Sequence, residues 1–261
     1  MDAVREMYER AADSYAALRA GLLVAGSAPL LARLPLGEAR VVVDAGTGTG
    51  ALLPLLRAAA PGATIVGLDL TEAMLRHARQ DGAWLAQADL AHPPLLPASV
   101  DVLVSAFVLF HLADPPAAAR QLAAALRPGG MFAAATWTKD QPWAARAVFA
   151  AELDAAGAPA VTSSRVGAAY TETPEALAAL AESAGLRVLD TEVAPLGGPA
   201  IGAAELVAEW TSLGSTAARF VQLDAAAREK VVAEATGKIA DLSEEDRRDP
   251  HVVIRLWASK D

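Results

Sequence analysis

The residues best equipped for chemistry stand at the ends of apolar runs. Arg40-Val41-Val42-Val43-Asp44 leads straight into Ala45-Gly46-Thr47-Gly48-Thr49-Gly50. Glycines at such a junction let the backbone turn sharply and bring bare peptide against a ligand. A glycine loop entering a helix also grips phosphates, on the positive end of that helix. Asp44, two residues before the first glycine, would repel a phosphate and instead suits a ligand with a cationic group. Asp69 closes the second run, where a carboxylate can take both hydroxyls of a ribose; capping the following helix is its alternative use. Asp89 closes the third, placed to accept from an adenine amino group. The histidines are His77, His92, His111 and His251. Of these, His111 follows the fourth apolar run, at the rim where a substrate would enter, and is the candidate general base or substrate-orienting group. Its competing role is structural.

These acids meet only if strand ends are gathered along one edge. Strand-like runs over 40–44, 64–69, 84–89, 100–106 and 131–137 alternate with helical periodicity over 51–60, 71–80 and 116–126. Pro128-Gly129-Gly130 predicts a stop between the last helix and its strand. Repetition of strand and helix, with continuously apolar strands, predicts a parallel sheet covered on both faces. Beyond it come a helix over 143–156, a polar loop Thr162-Ser163-Ser164-Arg165, a helix over 174–184 and a strand over 186–193. A Gly/Pro-rich hinge over 195–202, a helical stretch over 203–242 and a strand over 251–259 follow.

Composition narrows the function classes. The 261 residues are 54% hydrophobic, which is enough to bury a core and excludes a disordered or fibrous chain. Lys and Arg number 22 against 31 Asp and Glu, a net charge of −9, and no basic cluster offsets it, so a nucleic-acid partner is disfavoured. With no cysteine, disulfides, thiolate catalysis and zinc–thiolate sites are excluded, and no other metal site is expected. The first residues lack the charged-then-apolar order of a signal peptide, and the apolar stretch over 20–32 is short and interrupted by Gly21, Gly26 and Pro29. A cytoplasmic protein without membrane contact is expected. Homodimerisation is left open.

A ligand with ammonium, ribose and adenine but no phosphate is S-adenosylmethionine. The segment Val41 to Gly130 resembles the core of class I S-adenosylmethionine-dependent methyltransferases, of the small-molecule branch that includes the ubiquinone/menaquinone-biosynthesis methyltransferases. The resemblance rests on Val-Val-Asp-Ala-Gly-Thr-Gly-Thr-Gly, Gly67-Leu68-Asp69-Leu70-Thr71-Glu72-Ala73-Met74-Leu75, Ala88-Asp89 with Leu96-Pro97, Val100 to Ser105, His111-Leu112 and Leu126 to Gly130. Tyr8 to Tyr15 is similar to the N-terminal helix of that branch, and Thr173 to Leu186 to the helix before its sixth strand.

The resemblance implies an α/β Rossmann-like, doubly wound, seven-stranded sheet, mostly parallel with an antiparallel last strand, plus an N-terminal helical flap and a late helical lid. One domain is expected over 1–261, with the flap at 1–37, the cofactor-binding core at 38–138, substrate-cap segments at 139–172 and 197–249, and the last strand at 250–261. It also implies S-adenosylmethionine as methyl donor and S-adenosylhomocysteine as product. Asp44, Gly46 and Gly48 would surround the methionine end, Asp44 facing its ammonium through backbone or water. Asp69 would hold the ribose; Leu70, Met74, Asp89 and Leu90 would enclose the adenine; Ser105 or Ala106 would form the floor. Tyr15 and Arg19 would close over the methionine carboxylate, with helix packing the alternative for Tyr15.

For the acceptor, Phe107, Trp137, Trp143, Tyr170 and Trp210 are aromatic residues in or beside the cap segments, each with core packing as its competing role. Arg146 and Arg165 would hold an acidic acceptor group or lie on the surface. The expected reaction is direct SN2 methyl transfer to a small molecule, with the hydroxyl of a natural product or quinone-like ring as acceptor. A nitrogen or carbon acceptor, or a non-methylating role for the bound cofactor, are the alternatives. A NAD-dependent dehydrogenase is disfavoured by Asp44 beside the G-x-G-x-G loop.

Overall fold

The computed structural model describes residues 2–78, 82–139, 141–161 and 164–261. The end of the helix expected over 71–80, Asp140, and Thr162-Ser163 of the polar loop lie outside them.

Two helices, α1 (Asp2–Leu18) and α2 (Ala20–Leu31), precede an alternating series. It runs β1 (Val41–Ala45), α3 (Leu53–Ala59), β2 (Thr64–Asp69), α4 (Glu72–Ala78), β3 (Trp84–Gln87), β4 (Val100–Ala106), α5 (Pro115–Ala125) and β5 (Leu126–Trp137). Then come α6 (Ala144–Ala155), α7 (Pro174–Ser183), β6 (Leu186–Pro195), α8 (Ala203–Ser212), α9 (Gly214–Phe220), α10 (Ala225–Ala240) and β7 (Val252–Lys260). The sheet order is β3-β2-β1-β4-β5-β7-β6, with β1 to β5 in parallel pairs and β7 antiparallel to β5. The strand pattern predicts the parallel part of this sheet, and the resemblance implies its seven strands and antiparallel last strand. Successive strands leave β1 in one direction and resume on its other side at β4. The carboxyl ends of β1 and β4 therefore flank a topological switch point, where open α/β sheets bind ligands.

Val42 and Val43 are fully buried, as are Val102, Leu103 and Val104, so the central strands have helices on both faces. Their starts are pinned by Asp101, whose Oδ2 accepts from the backbone N–H of Arg40 (2.9 Å) and Val41 (2.8 Å), while Oδ1 pairs with Arg127. Burial pushes this carboxyl up, but the Arg127 and backbone donors together outweigh it and hold it below the usual carboxylate range. Strand β5 begins at Leu126 rather than after the Pro-Gly-Gly stop, and its register against β4 slips between Val100 and Val102. Gly129, at φ +74°, absorbs the slip as a kink within the strand instead of ending it.

Helix α2 is fastened to the sheet from β7. Arg255 Nε donates to the Gly26 carbonyl at 2.8 Å and Trp257 Nε1 to the Leu30 carbonyl at 3.0 Å; Arg255 also pairs with Glu192. Among the described residues no single helix is long and apolar enough to cross a membrane.

The chain divides into two compact units, where one domain with insertions is expected from the sequence. The first combines the segment ending at Lys139 with Arg165–Ala194 and Val252–Asp261; the second combines the segment ending at Ser164 with Pro195–His251. The physical reason for the division is a second apolar core, in which Phe149, Leu153, Leu206, Trp210, Ala235 and Ile239 are buried together. Residues 165–172, expected in a cap segment, instead belong to the sheet unit: Gly167 N–H donates to the Phe110 carbonyl at 2.8 Å. The helical stretch over 203–242 is three helices, broken at Gly214 (φ +73°) and again at Asp224, whose side chain caps α10 by accepting from Ala227 N–H at 2.8 Å.

Candidate functional site

A cavity of about 950 Å³, counted with its open mouth, lies in the sheet unit at the switch point. Its floor is the loop after β1. Backbone N–H groups of Gly46 and Thr47 donate to the Leu68 carbonyl at 2.8 and 2.9 Å, folding the loop back over β2. Gly46 has φ +85°, and a Cβ there would stand 2.6 Å from Val108, so only glycine fits. Gly48, at φ +55°, faces open space instead, leaving its backbone bare to a ligand.

The three acids meet in this cavity. Asp44, 1% exposed, accepts from Thr47 Oγ1 at 2.8 Å; burial raises its carboxyl to about 7, with the Thr47 bond opposing and nearby Asp69 assisting. Asp69 Oδ2 accepts from Gly48 N–H and Oδ1 from Thr71 N–H, both at 2.9 Å. Its carboxyl is also raised, because burial outweighs those donors. Asp69 thus does cap the following turn, yet a carboxylate offers about four lone pairs and only some are taken. Asp89 sits two residues beyond β3, brought beside the end of β2 by Ala88 N–H donating to the Asp69 carbonyl at 2.8 Å. Its Oδ1 accepts from Ala91 N–H at 2.9 Å. Leu70, Met74, Leu90 and Ala106 line the same space.

Helix α1 brings tyrosines to the other side. Tyr15 lines the cavity, and burial lifts its phenol to about 12 despite the opposing charge of Arg19. Arg19 itself lies one turn on from Tyr15, its N–H donating to the Tyr15 carbonyl at 2.9 Å, and is not part of the lining. Tyr8, which sequence considerations left unassigned, places its hydroxyl 2.7 Å from His111 Nε2, with the two rings edge to face. His111 closes a short 3₁₀ turn (Leu109–His111) after β4, 8% exposed and lining the cavity. The partners are 103 residues apart, so no local signal joins them. The remaining histidines stand elsewhere: His77 against Asp13, His92 exposed, His251 against Asp249.

The other aromatic candidates divide. Phe107 lines the cavity at φ +58°, unusual for a bulky residue and a mark of strain at a functional site. Trp137 stacks on it, centroids 4.2 Å apart, outside the lining. Tyr170 is 46% exposed on a 3₁₀ turn. Trp143 and Trp210 meet edge to face at 5.1 Å inside the core of the second unit, and Arg146 is half-buried on α6 of that unit. Ser105, expected at the floor, is fully buried and donates to the Ala45 carbonyl at 3.2 Å, locking β4 to β1; Ala106 takes the lining position. Arg165 guanidinium lies over the Phe110 ring and donates to the Thr138 carbonyl.

A seven-stranded sheet of this order, with acids gathered at the switch point beside a bare glycine loop, defines a class I methyltransferase. Residues 43–134 match the family model described as a methyltransferase domain. The ubiquinone biosynthesis O-methyltransferase of Methylobacterium nodulans is 35% identical over 175 residues, covering 63% of this chain and 68% of that protein. A trans-aconitate 2-methyltransferase of Azoarcus sp. is 43% identical over 108 residues, 40% of this chain and 42% of that protein, so the matched stretch spans under half of that relative's length. Among solved structures, the Haloferax volcanii protein in complex with the Trm112 methyltransferase activator superposes with a TM-score of 0.62 at 21% identity, over 98% of this chain and 99% of that one. The chain belongs to the S-adenosylmethionine-dependent methyltransferase family.

The residues present fit that cofactor. The glycine at 48 leaves room that any Cβ would fill, and Asp44 is a buried carboxyl whose charged form lacks a cation until an ammonium group arrives.

Proposed function

We propose that the protein methylates a hydroxyl of a small, largely apolar molecule, with Tyr8 and His111 handling the acceptor's proton. Asp44, Gly46 and Gly48 would hold the methionine end of the cofactor, Asp69 the ribose, and Leu70, Met74, Asp89 and Leu90 the adenine. Tyr15 and Arg19 would serve the methionine carboxylate. When bound, the cofactor supplies a methyl group activated by its sulfonium.

The chain's own part is positioning and proton transfer. Alignment of two reactants in one cavity supplies on the order of 7–11 kcal/mol. The observation that carries the assignment of the base is the 2.7 Å contact of Tyr8 Oη with His111 Nε2 in the cavity wall. Burial pushes Tyr8 well above its ordinary phenol value, so it remains a neutral O–H with one proton to give. It donates that proton to Nε2 and turns its own lone pair toward the acceptor. As the acceptor oxygen forms its bond to the methyl group, its proton passes to Tyr8 and the Tyr8 proton to His111. A relay of this kind contributes roughly 10²–10⁴-fold. Val4, Leu23, Phe107, Val108 and Leu112 give the acceptor an apolar bed that keeps water away.

The test is calorimetry with S-adenosylhomocysteine and with NAD, followed by S-adenosylhomocysteine release from a panel of phenols and alcohols. Binding of the first ligand and not the second is expected. His111→Gln is expected to abolish most turnover while leaving S-adenosylhomocysteine affinity intact; undiminished turnover in that variant refutes the relay.

A further inference from the structure

The cavity's charged lining is of one sign. Asp44, Asp69 and Asp89 line it, and among the described residues no lysine or arginine does. On the side formed by α1, α2 and the segment after β4, hydrocarbon from Val4, Leu23, Phe107 and Leu112 is relieved by Tyr8, Tyr15, Ser27 and His111. Ser27 is fully buried, and its Oγ has no hydrogen-bond partner. Arg19 is the cation whose field reaches this space, and it pulls both Tyr8 and Tyr15 toward ionisation. Burial nevertheless prevails at both, and at Asp44 and Asp69 as well. Four groups around one cavity thus give the same result: an anion here loses more in hydration than the surroundings return.

We propose that the acceptor is an uncharged alcohol or phenol on an apolar body, and that carboxylates are rejected by an apolar lining in which no lysine or arginine stands among the described residues. This rests on the methyltransferase reading above. The bound cofactor's ammonium would be balanced by its own carboxylate, so the cofactor would bring the acceptor side no cation beyond its sulfonium. An incoming carboxylate exchanges water for hydrocarbon and a few hydroxyl and imidazole groups, with no lysine or arginine among the described lining residues to offset the loss. A neutral hydroxyl gives up far less and meets Tyr8, His111 and Ser27, each able to hydrogen-bond it.

Matched probes test the charge alone. Protein loaded with S-adenosylhomocysteine is titrated calorimetrically at neutral pH with para-hexylphenol and para-hexylbenzoate, which share one apolar body, and with trans-aconitate. The phenol is expected to bind roughly tenfold or more tightly than the benzoate, with trans-aconitate weaker still. A benzoate or trans-aconitate that binds as well as the phenol overturns the proposal, and so does a loaded protein that binds none of the three. Failure of S-adenosylhomocysteine itself to bind would instead remove the methyltransferase reading. Leu23→Arg, which adds a cation to the wall, is expected to narrow the phenol–benzoate gap by about threefold or more. An unchanged gap in a variant that keeps S-adenosylhomocysteine affinity overturns the electrostatic cause.

Discussion

Replacing Asp44 by asparagine is expected to stabilise the ligand-free protein and weaken cofactor binding at once. The buried carboxyl titrates at about 7 in the fold against an ordinary 3.8. At ~1.4 kcal/mol per pKa unit, that gap corresponds to ~4 kcal/mol. Because the folded value is the higher one, Asp44 favours the fold when protonated. Its contribution is whole below pH ~3.8, erodes through the interval up to pH ~7 and is gone above it. Asparagine does not ionise and keeps an oxygen for Thr47, but its amide N–H₂ needs partners, which costs about 1–2 kcal/mol. The net gain is therefore about 2–3 kcal/mol at pH 8 and near zero at pH 5. For a chain of this size such a gain raises the melting temperature by roughly 5–10 °C. Scanning calorimetry of both proteins at the two pH values reads the stability, and titration with S-adenosylhomocysteine reads affinity. Loss of a charge-assisted contact is expected to weaken binding about 10–100-fold. A variant that melts no higher at pH 8, or gains equally at pH 5, refutes the burial argument; unchanged affinity refutes the pairing of Asp44 with a cationic group.

Three further outcomes follow from the geometry. Tyr8→Phe removes the proton donor to His111 but keeps the ring, so turnover of a phenol probe is expected to fall about tenfold or more with S-adenosylhomocysteine affinity unchanged; steady-state kinetics with calorimetry separates the two. Gly46→Ala forces a Cβ to 2.6 Å from Val108 at a positive φ, and is expected to cost about 2–3 kcal/mol of stability and most cofactor affinity, read by denaturant titration and calorimetry. Asp101→Ala leaves two strand-end N–H groups and Arg127 unsatisfied, with an expected loss of about 2–4 kcal/mol by denaturant titration and little change in S-adenosylhomocysteine affinity, since Asp101 stands at the opposite end of the strands.

The sheet was legible because its strands are continuous apolar runs bounded by glycine, proline or acid, and the three aspartates were legible because strand ends in such a sheet share one edge. What escaped was set by tertiary pairing. Tyr8 looks like any aromatic on an amphipathic helix until His111, from a distant segment, meets its hydroxyl. Ser105 and Ala106 point to opposite faces of one strand, and only the register of β4 on β1 decides which reaches the cavity. Trp143 and Trp210 carry the same composition signal as a ligand-binding aromatic pair, yet their edge-to-face contact fills a core. The segments of the second unit were set apart in the sequence as cap segments, but not the core they share, because its residues come from two stretches that are distant in the chain.

The tether from β7 to α2 has a consequence for the order in which the molecule assembles. Strands β1 to β5 follow one another closely and can pair as they emerge. By contrast, β7 reaches β5 across more than a hundred residues, a closure that is entropically slow. Arg255 and Trp257 arrive only with that strand, and they are what fasten the carbonyls of Gly26 and Leu30. The glycine loop and its acids therefore have their neighbours early, while the helix carrying Leu23 and Ser27 docks late. On this order of assembly, ability to hold a cofactor should precede ability to choose an acceptor.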